Sequence, residues 1–101
     1  MKVNFHQKNL HLSDAQKDYI SEKIEMLKKY RIMEDPSVVV KVDVEYSENT
    51  SSNEKILVVA TVNIPGAVLR AEESALTVEA GIDLIEEKLR HQLEKHKTAH
   101  E

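Results

Sequence analysis

Hydrophobic and polar positions alternate from the first residue. Met1, Val3 and Phe5 fall on one side and Lys2, Asn4 and His6 on the other, which predicts a half-buried strand over residues 1–8. The period then changes. Ile20, Ile24 and Leu27 recur at i, i+4 and i+7, the spacing of one helix face. Ser13 stands just ahead of that pattern as a candidate N-cap. Asp35-Pro36 follows it, and the proline ring disfavours a helical residue before it. These signals predict a first helix over residues 13–31. Alternation returns in VVVKVDVEY, residues 38–46, with Val38, Val40, Val42, Val44 and Tyr46 on one face and Lys41, Asp43 and Glu45 on the other, a strand with one wet side. SENTSSNE is a polar, turn-rich loop. KILVVATVNI, residues 55–64, is apolar on nearly both faces and reads as an interior strand. Pro65-Gly66 suits the middle of a type II turn, after which AVLRAEE, residues 67–73, returns as a fourth strand. Val78, Ile82, Ile85, Leu89 and Leu93 stripe a second helix over about 75–98, with Ser74 or Thr77 as its cap.

The predicted order is β-α-β-β-β-α. A helical crossover between strands one and two fits a parallel pair, and the remaining strands form a meander. The expected fold is therefore α+β: a two-layer sandwich with a four-stranded sheet and two parallel helices on one face. With 101 residues and 41% apolar content, the chain has room for one domain. No apolar run approaches the ~20 residues of a membrane span, and the N-terminus lacks a signal-peptide core. The absence of cysteine excludes disulfides, thiolate metal sites and thiol catalysis. With glycine only at 66 and 81 there is no P-loop, no Rossmann fingerprint and no GXXG loop. No nucleophile elbow is present.

Charge changes the picture. The formal net charge is −4, which argues against a protein that coats nucleic acid indiscriminately, yet the charges are segregated. Residues 42–54 and 72–87 carry acids and no bases. Lys28-Lys29-Tyr30-Arg31 is purely basic, and bases dominate from Lys88 onward. Helix dipoles favour acids in first turns and bases in last turns, and this alone accounts for much of the segregation. It does not ask for the ridge Lys88, His91 and Lys95, at i, i+3 and i+7 over two turns. Tyr19, Lys23, Met26 and Tyr30 form a matching ridge on the first helix. Two such ridges on adjacent helices would flank a groove suited to a phosphate backbone.

The residues that carry these features are familiar together. Ile64-Pro65-Gly66-Ala67-Val68-Leu69-Arg70-Ala71-Glu72-Glu73, then Ile82-Asp83, Lys88-Leu89 and Gln92-Leu93-Glu94-Lys95-His96-Lys97, resemble the ribosome hibernation-promoting factor family, which includes the ribosome-associated inhibitors and sigma-54 modulation proteins. Ser13, Ile20, Lys23, Ile24, Leu27 and Tyr30 fit its first-helix pattern. The resemblance covers essentially the whole chain. It implies a fold like a double-stranded-RNA-binding domain. It also implies docking on rRNA of the small ribosomal subunit, between head and body, over the messenger and tRNA sites, with translation blocked in stationary phase or stress.

Carried over by position, the family's rRNA-contacting residues fall on Lys23, Lys88, His91 and Lys95, and the basic segment adds Lys28 and Lys29. His91 stands where the family commonly has arginine, Met26 where it often has lysine, Glu79 where an aromatic is usual and Gln7 where glycine is usual. The expectation is a cytoplasmic monomer, a short form whose residues 1–98 make one ribosome-binding domain and residues 99–101 a frayed tail. It would act without catalysis, cofactor, metal, membrane or small-molecule substrate; His96 and His100 at i, i+4 lack companions for a metal set. Two other readings stand beside it: a diverged protein-interaction module that kept the fold but not the ribosome, with a partner on the sheet near Lys41, Thr61 and Arg70, and a general binder of double-stranded RNA.

Overall fold

A computed structural model describes residues 1–48 and 52–99. Its elements are β1 (Lys2–Lys8), α1 (Asp14–Glu25), β2 (Val39–Tyr46), β3 (Ile56–Ile64), β4 (Ala67–Ala75) and α2 (Val78–Ala99), with 3₁₀ turns at Met26–Lys29 and Arg31–Glu34. The sheet order is β1-β2-β3-β4. β1 and β2 run parallel, and β3 is antiparallel to both β2 and β4. Strands β1, β2 and β4 therefore share a direction, and both helices return against it. The α+β sandwich and the interior place of β3 are as expected. Parts of the tail (residues 100–101) and of the polar loop (residues 49–51) lie outside the described residues.

Alternation decides which side of each strand is covered. Val40, Val42, Val44, Val58, Ala60 and Val62 are buried beneath the helices, where they meet Ile20, Ile24, Leu27, Ile82, Ile85, Leu89 and Leu93. The odd-numbered residues of β2 and β3 face the other way. Ser13 caps α1 in a full capping box: its hydroxyl accepts from the Gln16 N–H at 3.1 Å, and the Gln16 side chain accepts from the Ser13 N–H at 2.9 Å. Thr77 caps α2 by accepting from the Ala80 N–H at 3.1 Å. Gln7, the departure from a usual glycine, accepts from the Leu12 N–H at 2.8 Å and ties the β1 exit to the start of α1. Gly66 has φ +82°, the left-handed conformation that the third position of a type II turn requires.

Two boundaries differ from the sequence reading. The first helix ends at Glu25 rather than near residue 31, because the core residues change spacing. After Ile24 the buried positions are Leu27, Tyr30 and Met33, three apart, and the chain tightens to three residues per turn to keep them all inward. Tyr30 itself is extended (φ −87°, ψ 118°) between the two 3₁₀ turns. The fourth strand runs two residues further than expected, since Ser74 and Ala75 still pair with Leu57 and Ile56. The second helix therefore begins at Val78 rather than 75. Glu72 and Glu73 belong to a strand end, not to a helix first turn.

Candidate nucleic-acid interface

The helices meet along a seam whose polar contacts are in register. The Tyr19 hydroxyl donates to the Asp83 carboxylate at 2.6 Å, and Lys23 Nζ lies 3.2 Å from the same carboxylate. The Tyr30 hydroxyl lies near the Glu94 carboxylate. Tyr19 and Tyr30 are eleven residues apart, as are Asp83 and Glu94, so a tyrosine sits beside a carboxylate near each end of the seam. The Tyr19 hydrogen bond, helped by Lys23, holds the Asp83 carboxyl below the ordinary range. Asp83 in return holds the Lys23 ammonium above its ordinary value. The neighbouring Glu94 carboxylate, with burial, raises Tyr30.

Lys23 thus points into the seam. The α2 ridge lies roughly 80–140° further round than Asp83, at ~100° per residue. Lys88 Nζ leans over the edge of β4, 2.7 Å from the Glu73 carboxylate and 3.1 Å from the Glu72 carbonyl. Gln92 donates to the Arg70 carbonyl at 2.8 Å on the same flank. The two ridges therefore do not face each other across one groove. Met26 is exposed, while Tyr30, its expected neighbour on the ridge, is buried in the core.

The predicted cations divide into two sets. Lys23 and Lys88 are held by carboxylates, and Lys28 pairs with Glu25 at 3.1 Å. His91 and Lys95 share a shallow hollow with Glu94 and Thr98, and among the described residues Lys95 makes no ion pair. Lys29 lies over the Tyr30 ring, 5.3 Å from its centroid. It lines an open cleft of about 740 Å³ between the 3₁₀ turns and the end of α2, with Tyr30, Arg31, Ile32, Leu93, Glu94, His96 and Lys97. Arg31, His96 and Lys97 are members of this cluster that spacing did not single out. They come from two chain segments that only the parallel packing of the helices joins. The signal was present in the basic finishes of both helices, which that topology places at one end.

Electrostatically this end is a basic pole. The starts of α1 and α2, with Asp14 and Glu79 in their first turns, lie at the opposite end with the strand end that carries Glu72 and Glu73. Among the described residues no three His, Asp or Glu side chains gather as metal ligands; His100 lies outside that set. No helix among them is long and apolar enough to cross a membrane.

The family described as sigma 54 modulation protein / S30EA ribosomal protein matches residues 3–101. The chain belongs to that family. It is 38% identical to the ribosome hibernation promotion factor of Staphylococcus aureus over 98 residues, which cover 97% of this chain and 49% of that protein. The chain thus spans about half the length of this curated relative. Among solved structures, the N-terminal domain of Thermus thermophilus Protein Y superposes with a TM-score of 0.77 at 25% identity, covering 95% of this chain and 99% of that one. A ribosomal subunit interface protein from Coxiella burnetii superposes with a TM-score of 0.76 at 21% identity, covering 97% and 99%. For the family fold, the seam and the basic pole are two separable features. The first fixes how the helices sit, and the second gathers cations at one end.

Proposed function

We propose that this domain is a ribosome-binding hibernation factor. It docks its basic pole on rRNA of the small subunit, lies over the messenger and tRNA sites, and blocks translation by occupying them. The observation that carries this reading is the gathering of Lys29, Arg31 and Lys97, with His91 and Lys95 close by on α2, at the shared end of two parallel helices. Family membership and the name of the Staphylococcus aureus relative support it. The binding is electrostatic: lysine and arginine side chains displace counterions condensed on the rRNA phosphates, and the fixed spacing of the two helix ends selects a folded RNA surface. Lys23 and Lys88 contribute less to it than their positions in the sequence imply, because each already has a carboxylate partner.

The test is co-sedimentation with small subunits in sucrose gradients over a salt series. With ~3–5 phosphates neutralised, log K falls against log salt with a slope of about −3 to −4.5. Arg31→Glu with Lys95→Glu removes co-sedimentation at moderate salt, while the circular dichroism of the fold stays intact. Undiminished binding by that folded variant overturns the assignment. Lys88→Glu is a poorer probe, since it sets a second carboxylate against Glu73.

A second reading, the diverged protein-interaction module, is favoured by one observation: three of the six predicted cations, Lys23, Lys28 and Lys88, are neutralised within the molecule. It requires binding of a protein by the chain with no measurable affinity for ribosomes at any salt concentration.

A further inference from the structure

The helices cover one face of the sheet, and the other face has a charge pattern that fits itself. Register places four residues in each row across β1, β2, β3 and β4. One central row is Asn4, Lys41, Thr61 and Arg70; the next is His6, Asp43, Val59 and Glu72. Two cations thus stand directly beside two anions, on the same two strands. They are solvated: the side chains of Lys41 and Arg70 are 49% and 59% exposed, and those of Asp43 and Glu72 are 39% and 50% exposed. Within the molecule they meet only loosely, Lys41 to Asp43 at 4.0 Å and Arg70 to Glu72 at 3.8 Å. Between and beside them lie half-buried Val39, Leu57 and Val59 and exposed Val68.

We propose that this open sheet face is a self-association surface, and that its occupant is a second copy of the chain stacked with its strands antiparallel. Consider a two-fold axis between the two faces, running across the strands midway between the charged rows. It lays β2 over β2 and β4 over β4. Lys41 then faces Asp43 of the second copy, Arg70 faces its Glu72, and Thr61 faces its Val59. Each contact occurs twice, as an isologous interface requires. Stacking with the strands parallel, about an axis between β2 and β3, sets Lys41 over Thr61, Asp43 over Val59 and Arg70 over Asn4, so neither cation meets a carboxylate and the charges choose the antiparallel arrangement. The usual offset of about 30° between stacked sheets preserves these pairings near the axis.

The whole molecule favours the same choice. Acids at the helix starts and bases at the helix finishes make each copy electrically polar along its strands. Antiparallel stacking sets the basic pole of one beside the acidic pole of the other. With strands about 4.8 Å apart and about 3.3 Å per residue, the two faces together bury on the order of 1,000 Å², the size of weak and transient complexes. Association therefore takes place at high concentration, with a dissociation constant on the order of 0.1 mM, and weakens as salt screens the paired rows.

Sedimentation equilibrium of the intact chain from about 10 μM to about 1 mM, at low and high salt, tests this. The expected result is a monomer–dimer equilibrium that shifts to monomer in high salt. Lys41→Asp with Arg70→Glu makes both rows negative and gives monomer at every concentration. Asp43→Lys with Glu72→Arg makes both rows positive and does the same. All four substitutions together restore opposite rows and restore the dimer. A wild-type chain that is monomeric near 1 mM in low salt overturns the proposal, as do half-reversed variants that dimerise normally or a fourfold variant that does not. Should a variant fail to fold, the amide shifts of the wild-type chain on dilution decide. Changes confined to the open-face residues, the odd positions of β2 and β3 and the even positions of β4, support the interface, and changes confined to the helices refute it.

Discussion

At the scale of single residues, Gly81 shows how far a local rule reaches. A glycine inside a helix costs about 1 kcal/mol relative to alanine, so propensity alone recommends Gly81→Ala. In the fold, a Cβ at this position meets the Val58 Cγ2 at 2.8 Å. Val58 is fully buried and stiff at its branched carbon, so it cannot swing aside. Overpacking of this kind costs about 1–3 kcal/mol. Gly81→Ala is therefore expected to lower the thermal midpoint, and adding Val58→Ala to recover most of the loss. Nothing near residue 81 in the chain announces this, because the reason lies 23 positions away on β3. Asp83 is similar: the sequence shows an acid on a helix, while packing supplies Tyr19 and Lys23. Its folded pKa is depressed, so the stabilisation is fully present above the unfolded value of about 3.9 and is lost as pH falls through the folded value. Asp83→Asn should thus melt lower than wild type at neutral pH. The difference should shrink below about pH 4 in a series of thermal melts.

At the scale of elements, the start of α1 was legible, its end was not, and α2 begins three residues later than its stripe implies. The start of α1 is written within four residues: Ser13 and Gln16 satisfy each other's backbone groups, and the pattern can be read before any tertiary contact exists. Ser13→Ala should cost about 1 kcal/mol, a fall of about 4–8 °C in the thermal midpoint for a domain of this size. The end of α1 is different. No proline or glycine stops it at Glu25. What stops it is the shift of buried positions from Ile20, Ile24 and Leu27 to Leu27, Tyr30 and Met33, together with the pull of Glu94 on the Tyr30 hydroxyl. The three-residue spacing was visible in the sequence, but the helical period explained Leu27 equally well, and Tyr30 also fitted the ridge. The ridge on α2 was legible as a stripe for the same reason that its direction was not. Spacing fixes which residues share a flank, and only the neighbouring strand fixes that Lys88 lies over Glu73.

At the scale of the whole molecule, net charge and binding surface separate. On the proposed reading, a chain at −4 binds a polyanion because the Debye length at physiological salt is about 8 Å, while α1 and its following 3₁₀ turns put roughly 25 Å between Asp14 and Arg31 at about 1.5–2 Å per residue. Acids at the far pole are thus screened from an RNA phosphate at the near one. An acid inside the near pole is not, and Glu94 lines both the cleft of Lys29 and Arg31 and the hollow of His91 and Lys95. Two variants separate local field from total charge. Asp14→Asn with Asp18→Asn raises the net charge by two and should change ribosome affinity by less than about twofold at physiological salt. Glu94→Gln raises it by one, keeps an amide oxygen near the Tyr30 hydroxyl, and should strengthen binding by about fivefold, an effect that fades as salt rises. Co-sedimentation titrations of the two proteins check the order. If the distant pair strengthens binding as much as Glu94→Gln, the interaction follows total charge and the basic pole is not the docking surface.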